Sequence, residues 1–246
     1  MEISTLITDF KDFLLSSFKE GTIAKIIIFG SHTIGKATPS SDIDILIVVS
    51  DGLKTEKNLL DRVYEFMVKH NIPIEVVTAN VTELLLSPDY FLYNVTRKGE
   101  EIYSMRKEEL KTIALNDLRN LAEEYYESAK EVLSRKRIRL AIDAAYNAAE
   151  LSAKGLILLK QDDIPGSHGG IVSVFGKLYI ATNEIDKEIG QNLNRALKLK
   201  NEARYKTNAL LTEKNAREIL NLAKELLNIV DEKMKRKKAN TFNKNL

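Results

Sequence analysis

The 246-residue chain contains no cysteine. That excludes disulfides, thiolate metal sites and a cysteine nucleophile. Histidine is scarce: His32, His70 and His168 are the only three, which leaves little for a histidine-built metal centre. No apolar run approaches the ~18 residues of a membrane-spanning helix, and the longest candidates, 26–29 and 43–49, have the length of strands. The opening MEISTLITDF carries acids early and lacks a basic region followed by an apolar one, so no secretory leader is expected and a cytoplasmic location is. A composition of 44% hydrophobic and 29% charged residues is that of a folded globular chain.

The net charge of +2 hides an asymmetry. Residues 1–104 carry 10 basic and 15 acidic side chains, and residues 105–246 carry 27 and 20. Six of the latter basic residues lie between Lys233 and Lys244. A solvated, fraying end explains them. An arm that touches nucleic acid is the sharper alternative, but Phe242 is the lone aromatic there and no stacking pattern accompanies it.

The two halves differ in period. The first alternates helix and strand signals. Ser4 or Thr5 caps a helix to Lys19 with Leu6, Phe10, Phe13, Leu14 and Phe18 on one face. Residues 24–29 read as a buried strand and 42–49 as a second, apolar on both faces beyond Asp44 and hence central. A helix over 54–70 and a third strand over 72–79 follow. Thr82 caps a short helix, and 99–103 adds a small strand. From Lys107 strand signals vanish. Helices are expected over 107–133, 137–159, 171–182, 184–206 and 212–235, with Thr182 and Thr212 as caps and 161–170 as the one strong breaker. The expected fold is an α/β domain with a small mixed sheet over 1–105, an all-α bundle of about five helices over 106–235, and a basic flexible tail over 236–246.

The chemistry concentrates in residues 29–48. A buried strand ends at Gly30-Ser31, and ten residues later Asp42-Ile43-Asp44 opens the next strand. Residues i and i+2 of a strand face one side, so the two aspartates project together. Paired carboxylates on an apolar strand repel each other unless a cation joins them, and Mg²⁺ prefers such oxygen ligands while keeping waters and phosphates in its other positions. Gly30 admits a phosphate close to the backbone. Ser31 adds a hydroxyl, and a helical turn there aims N–H groups at an anion. A phosphate cradle opposite an acid pair describes metal-assisted phosphoryl or nucleotidyl transfer. Glu75, a lone acid in an apolar run, is either a solvent-facing edge residue or the third carboxylate; beside the first two acids the second reading is preferred.

Gly-Ser, ten residues, Asp-x-Asp resembles the signature of the polymerase-β-like nucleotidyltransferases in their minimal branch, through Gly30, Ser31, Gly35, Ala37, Pro39, Ser41, Asp42, Ile43 and Asp44. The resemblance covers about residues 20–104. It implies that Asp42, Asp44 and Glu75 hold two Mg²⁺ ions and carry catalysis, and that Gly30, Ser31 and Ser41 bind the nucleotide. It further implies transfer of AMP from ATP to a hydroxyl of a small molecule or a protein tyrosine, with release of pyrophosphate. Two positions depart from the pattern: Ile34 stands where the family often has a basic residue, and Glu75 where it usually has aspartate.

The second half resembles the HEPN domain in its five-helix order, its loop with His168, and the stretch 201–205 (NEARY) ahead of an amphipathic last helix. That resemblance implies a homodimer through the helical domain. It also suggests the alternative of a nucleotide- or RNA-binding regulatory module, related to fused toxin–antitoxin pairs and without turnover. Ribonuclease members carry Arg, four to six residues, then His. Arg204 is followed at those offsets by Ala209, Leu210 and Leu211, and Gln161, Asp162 and Asp163 precede His168, so that ribonuclease site is not expected. His32 is either a phosphate contact or a solvated loop residue. His70 closes a helix, where a cation suits the dipole.

Overall fold

The computed structural model describes residues 3–33, 35, 38, 41–50, 53–86 and 89–243. The motif positions Ile34, Ala37 and Pro39 lie outside the described residues. Two compact units divide the chain, 1–114 and 115–246.

In the first unit α1 (Ile3–Ser17) precedes β1 (Ile23–Phe29), a 3-10 turn over Gly30–His32 and β2 (Ile43–Val49). Then come α2 (Leu53–His70), β3 (Ile74–Asn80), α3 (Val81–Leu86), α4 (Tyr90–Lys98) and β4 (Glu100–Ser104). The sheet has the order β3-β2-β1-β4. β1 runs antiparallel to β2 and β4, and β2 runs parallel to β3, so the sheet is mixed as expected. β2 is central and buried on both faces. Ile43, Ile45 and Ile47 of β2 join Ile26 and Ile28 of β1 in a core shared with Leu6, Phe10 and Leu14 of α1 and with Leu59, Val63 and Phe66 of α2. Phe66 anchors this layer: Phe10 meets it edge-on at 5.1 Å, and His70 stacks on it at 4.1 Å. The odd-numbered β2 residues are thus consumed by the core. Asp44, of opposite parity, belongs to the other face, against which α3 and α4 pack.

Local chemistry sets the helix starts. Asn80 Oδ1 accepts from Glu83 N at 2.7 Å while Glu83 Oε2 accepts from Asn80 N at 2.9 Å. This reciprocal box starts α3 at Asn80 rather than Thr82, because Thr82 already lies inside the helix. Asp89 accepts from Leu92 N at 2.7 Å and starts α4, a helix the sequence reading did not separate from α3.

The second unit takes in α5 (Lys107–Ser134) from Leu115 onward, α6 (Ile138–Lys160), α7 (His168–Phe175) continued by a π-helical turn over Gly176–Ile180, α8 (Lys187–Tyr205) and α9 (Glu213–Asn243). α6 is the hub and packs against α7, α8 and α9. It is buried nearly all round and rich in small residues: Ala141, Ala145, Ala148, Ala149 and Ala153 are fully buried, and a Cβ on Gly155 would stand 3.2 Å from Leu115 Cδ1. Small side chains let neighbouring helices close on it. Thr212 and Asn215 cap α9 reciprocally, as the sequence suggests. α8 is capped instead by Asp186, which accepts from Glu188 N at 2.7 Å; Thr182 is turned back onto the Leu178 carbonyl. α9 runs on to Asn243, beyond the Lys235 end read from the sequence, since Lys, Arg and Ala are good helix formers and neither Gly nor Pro interrupts them.

Candidate active site and a second polar cluster

The 3-10 turn brings Gly30 and Ser31 to the end of β1. Gly30 has φ +73°, a conformation other residues adopt at a cost. A Cβ there would sit 2.8 Å from Asp44 Cγ and collide with its carboxylate oxygen. Glycine is therefore required twice, by conformation and by the approach of the aspartate. Thr33 Oγ1 closes the turn by donating to the Gly30 carbonyl at 3.0 Å.

Asp44 is partly exposed in β2, paired across the sheet with Phe29 of β1 and with Glu75 of β3. Directly paired residues share a face. Phe29, Asp44 and Glu75 thus form one row across three strands, with Glu75 open to solvent. Asp42 is exposed, one residue ahead of β2 and two from Asp44. The start of β2 is held by Ile43 N donating to the Pro73 carbonyl at 3.0 Å. Phe91 of α4 meets Phe29 edge-on at 5.4 Å and borders the row.

Among the described residues no Lys or Arg pairs with Asp42, Asp44 or Glu75. Nor does any trio of carboxylate or imidazole side chains among them gather closely enough to hold a metal by itself. Asp42, Asp44 and Glu75, expected together as metal ligands, are thus not gathered into such a trio. Ser41 is drawn into the loop: its hydroxyl accepts from Thr38 N at 2.8 Å and stands 3.0 Å from Thr38 Oγ1. His32 Nε2 lies 3.5 Å from the Ser41 carbonyl, bracing the loop across its mouth.

In the second unit Arg204 forms a two-pronged ion pair with Asp143, with Nη2 at 3.0 Å from Oδ2, and joins α8 to α6. Arg139 adds to that joint by donating to the Ala203 and Thr207 carbonyls at 2.8 and 2.9 Å. Tyr205 is left 75% exposed. Phe175 and Tyr179 are core residues. His168 has companions that a search for Arg-spaced histidines passes over: Glu150 of α6 and Lys200 of α8. Glu150, an acid in an Ala-rich apolar helix, is the signal that was available; Lys200, 32 residues from His168, leaves none at short range.

A mixed sheet whose first two strands oppose a Gly-Ser turn to an Asp-x-Asp pair is the frame of a nucleotidyltransferase. Residues 14–109 match the polymerase beta nucleotidyltransferase family, and residues 115–234 match the HEPN domain family. The chain belongs to both, as a nucleotidyltransferase domain followed by a HEPN domain. A Methanocaldococcus jannaschii protein named "Putative toxin MJ0605" is 32% identical over 100 residues, 41% of this chain and 73% of that one. A second from the same organism, "Putative toxin MJ0142", is 26% identical over 114 residues, 46% and 77% of the two chains. Spectinomycin adenyltransferase AAD(9) from Enterococcus faecialis, solved with ATP and spectinomycin, is similar over 91% of this chain and 98% of its own. The identity is 16% and the TM-score 0.35.

Proposed function

We propose that the first unit is a Mg²⁺-dependent nucleotidyltransferase that moves a nucleoside monophosphate, AMP from ATP, to a hydroxyl acceptor. The observation that carries the reading is the collapse of Gly30 onto Asp44. It sets the backbone of the Gly-Ser turn directly against a carboxylate that no Lys or Arg among the described residues neutralises, which brings the phosphate-binding turn and a metal-binding acid together. Asp42 and Asp44 would hold the metal, with Glu75 beside Asp44 on the acceptor side. When bound, Mg²⁺ neutralises triphosphate charge and makes the acceptor hydroxyl more acidic. Gly30 and Ser31 would hold the β- and γ-phosphates through the 3-10 turn. The acceptor oxygen forms a bond to the α-phosphorus, and the bond to the bridging oxygen breaks. Pyrophosphate leaves with that electron pair, and the hydroxyl proton passes to Glu75 and on to solvent.

Label transfer from α-labelled ATP tests this in wild type and in Asp42→Asn and Asp44→Asn. Each change removes several kcal/mol of charge stabilisation, so transfer should fall by at least about a hundredfold. Undiminished transfer in either variant overturns the reading. A second reading is a nucleotide- or RNA-binding regulatory module without turnover, related to fused toxin–antitoxin pairs; that two relatives are named putative toxins accords with the toxin–antitoxin kinship alone. Nucleotide binding without transfer to any acceptor would support it.

A further inference from the structure

The first unit holds a cavity that the Asp44–Glu75 row does not use. It is lined by α1 on one side and by β1, β4 and His32 on the other, and its volume is about 430 Å³. That is the size of a small-molecule site. Ile28 of β1 lines it and faces opposite to its neighbour Phe29, the cross-strand partner of Asp44. The cavity therefore opens on the far face of the sheet from the candidate acids. Ile7 and Ile102 continue its apolar lining. A crevice of about 10 Å³ shares Ile7 and Ile102 and is closed by Phe10 and Phe66, with room for one water-sized group.

The polar lining carries both signs of charge. Glu100 pairs with Ile28 across the sheet, so both belong to the face that α1 covers. No Lys or Arg among the described residues forms an ion pair with Glu100. Its neighbour Glu101 differs, because Lys25 Nζ meets Glu101 Oε2 at 2.5 Å. On the opposite wall stands Lys11 of α1. Its carboxylate partner is the adjacent Asp12 at 3.2 Å, with side chains 29% and 65% exposed. So exposed a pair is worth little, and the ammonium is free to turn to a ligand. An acid and a base thus stand across an aliphatic surface.

We propose that this cavity binds a small zwitterion with a branched aliphatic side chain, an α-amino acid. The ligand ammonium donates to the Glu100 carboxylate. The ligand carboxylate accepts from the Lys11 ammonium. The side chain lies on Ile7, Ile28 and Ile102, and one methyl group enters the crevice. An anion alone would face Glu100 unpaired, and an amine alone would leave Lys11 unused. The position across the sheet from Asp44 sets the site apart from any acceptor of the proposed transfer. His32 lines the cavity and also stands, through Nε2, 3.5 Å from the Ser41 carbonyl ahead of Asp42. Its ring therefore reports occupancy as well.

The test uses the full chain with ¹³C-labelled isoleucine methyl groups. It needs neither ATP nor Mg²⁺, so its outcome is independent of the proposed transfer. Ile28→Val and Ile102→Val assign the two reporting signals. L-Leucine is titrated beside isoamylamine, which lacks its carboxylate, and 4-methylpentanoate, which lacks its amine. Leucine should move the Ile28 and Ile102 signals saturably and leave Ile157, buried in α6, in place. Each half-ligand should bind roughly tenfold or more weakly, the loss of one hydrogen bond to a charged group. Glu100→Gln should weaken leucine by a similar factor and not weaken 4-methylpentanoate, which has no amine for it to hold. Lys11→Gln should weaken leucine and not weaken isoamylamine. Both side chains reach solvent, so neither change threatens the fold. Signals that leucine does not move, a half-ligand as potent as leucine, or undiminished leucine binding in either variant overturns the proposal.

Discussion

Gly30 is the residue on which the candidate site turns, because its missing side chain is the space Asp44 occupies. Gly30→Ala forces a Cβ into that carboxylate and a left-handed conformation on alanine. The expected cost is about 1–2 kcal/mol in denaturant unfolding, together with a loss of Mg²⁺–nucleotide affinity. Stability lost with affinity intact would detach the glycine from the site. Glu184 makes a prediction of a different kind. Lys160 and Lys233 hydrogen-bond it and hold its carboxyl below the usual 4.5. A carboxylate with a lowered folded pKa stabilises above its unfolded value and loses that contribution as pH falls through the folded one. Below about pH 4.5 the wild type should therefore lose stability faster than Glu184→Gln, measured by thermal unfolding across that range. Parallel curves for the two proteins would contradict the assignment.

The elements were legible where side-chain period decided them. The two strands around the Asp-x-Asp pair announce themselves by unbroken apolar runs, and α6 by its length and alanines. The misplacements fall where a single hydrogen bond decides. α7 begins at His168 rather than 171, because Ser167 caps it by accepting from Gly170 N at 3.1 Å. The two glycines that read as a breaker are its first turn. The Glu83–Asn80 box and the Asp89 cap divide α3 from α4 in the same way. At the candidate site the Gly-Ser and Asp-x-Asp halves could be read from spacing. The alignment of Asp44 with Glu75 needed the parallel register. The Lys200–His168–Glu150 cluster needed three helices packed together. Ser167→Ala should cost about 1 kcal/mol, the usual worth of an N-cap. Native-state hydrogen exchange should show the opening of α7 eased while α9 is unchanged. Equal loosening of both helices would mean that the cap does not act locally.

At the scale of the whole molecule, two domain families share one chain. The first unit sets an acid pair on a mixed sheet, and the second buries a lysine within a helical bundle. Among the described residues no helix is long and apolar enough to cross a membrane. The central claim concerns the first unit, and thermal unfolding of the full chain with each nucleoside triphosphate tests it most directly. The measurement is made with and without Mg²⁺, on wild type and on the double variant Asp42→Ala/Asp44→Ala. A ligand at 100 times its dissociation constant stabilises by about 2.7 kcal/mol. The account predicts such a shift for ATP, dependent on Mg²⁺ and absent from the double variant. No shift with any nucleotide, or an equal shift in the variant, would contradict it.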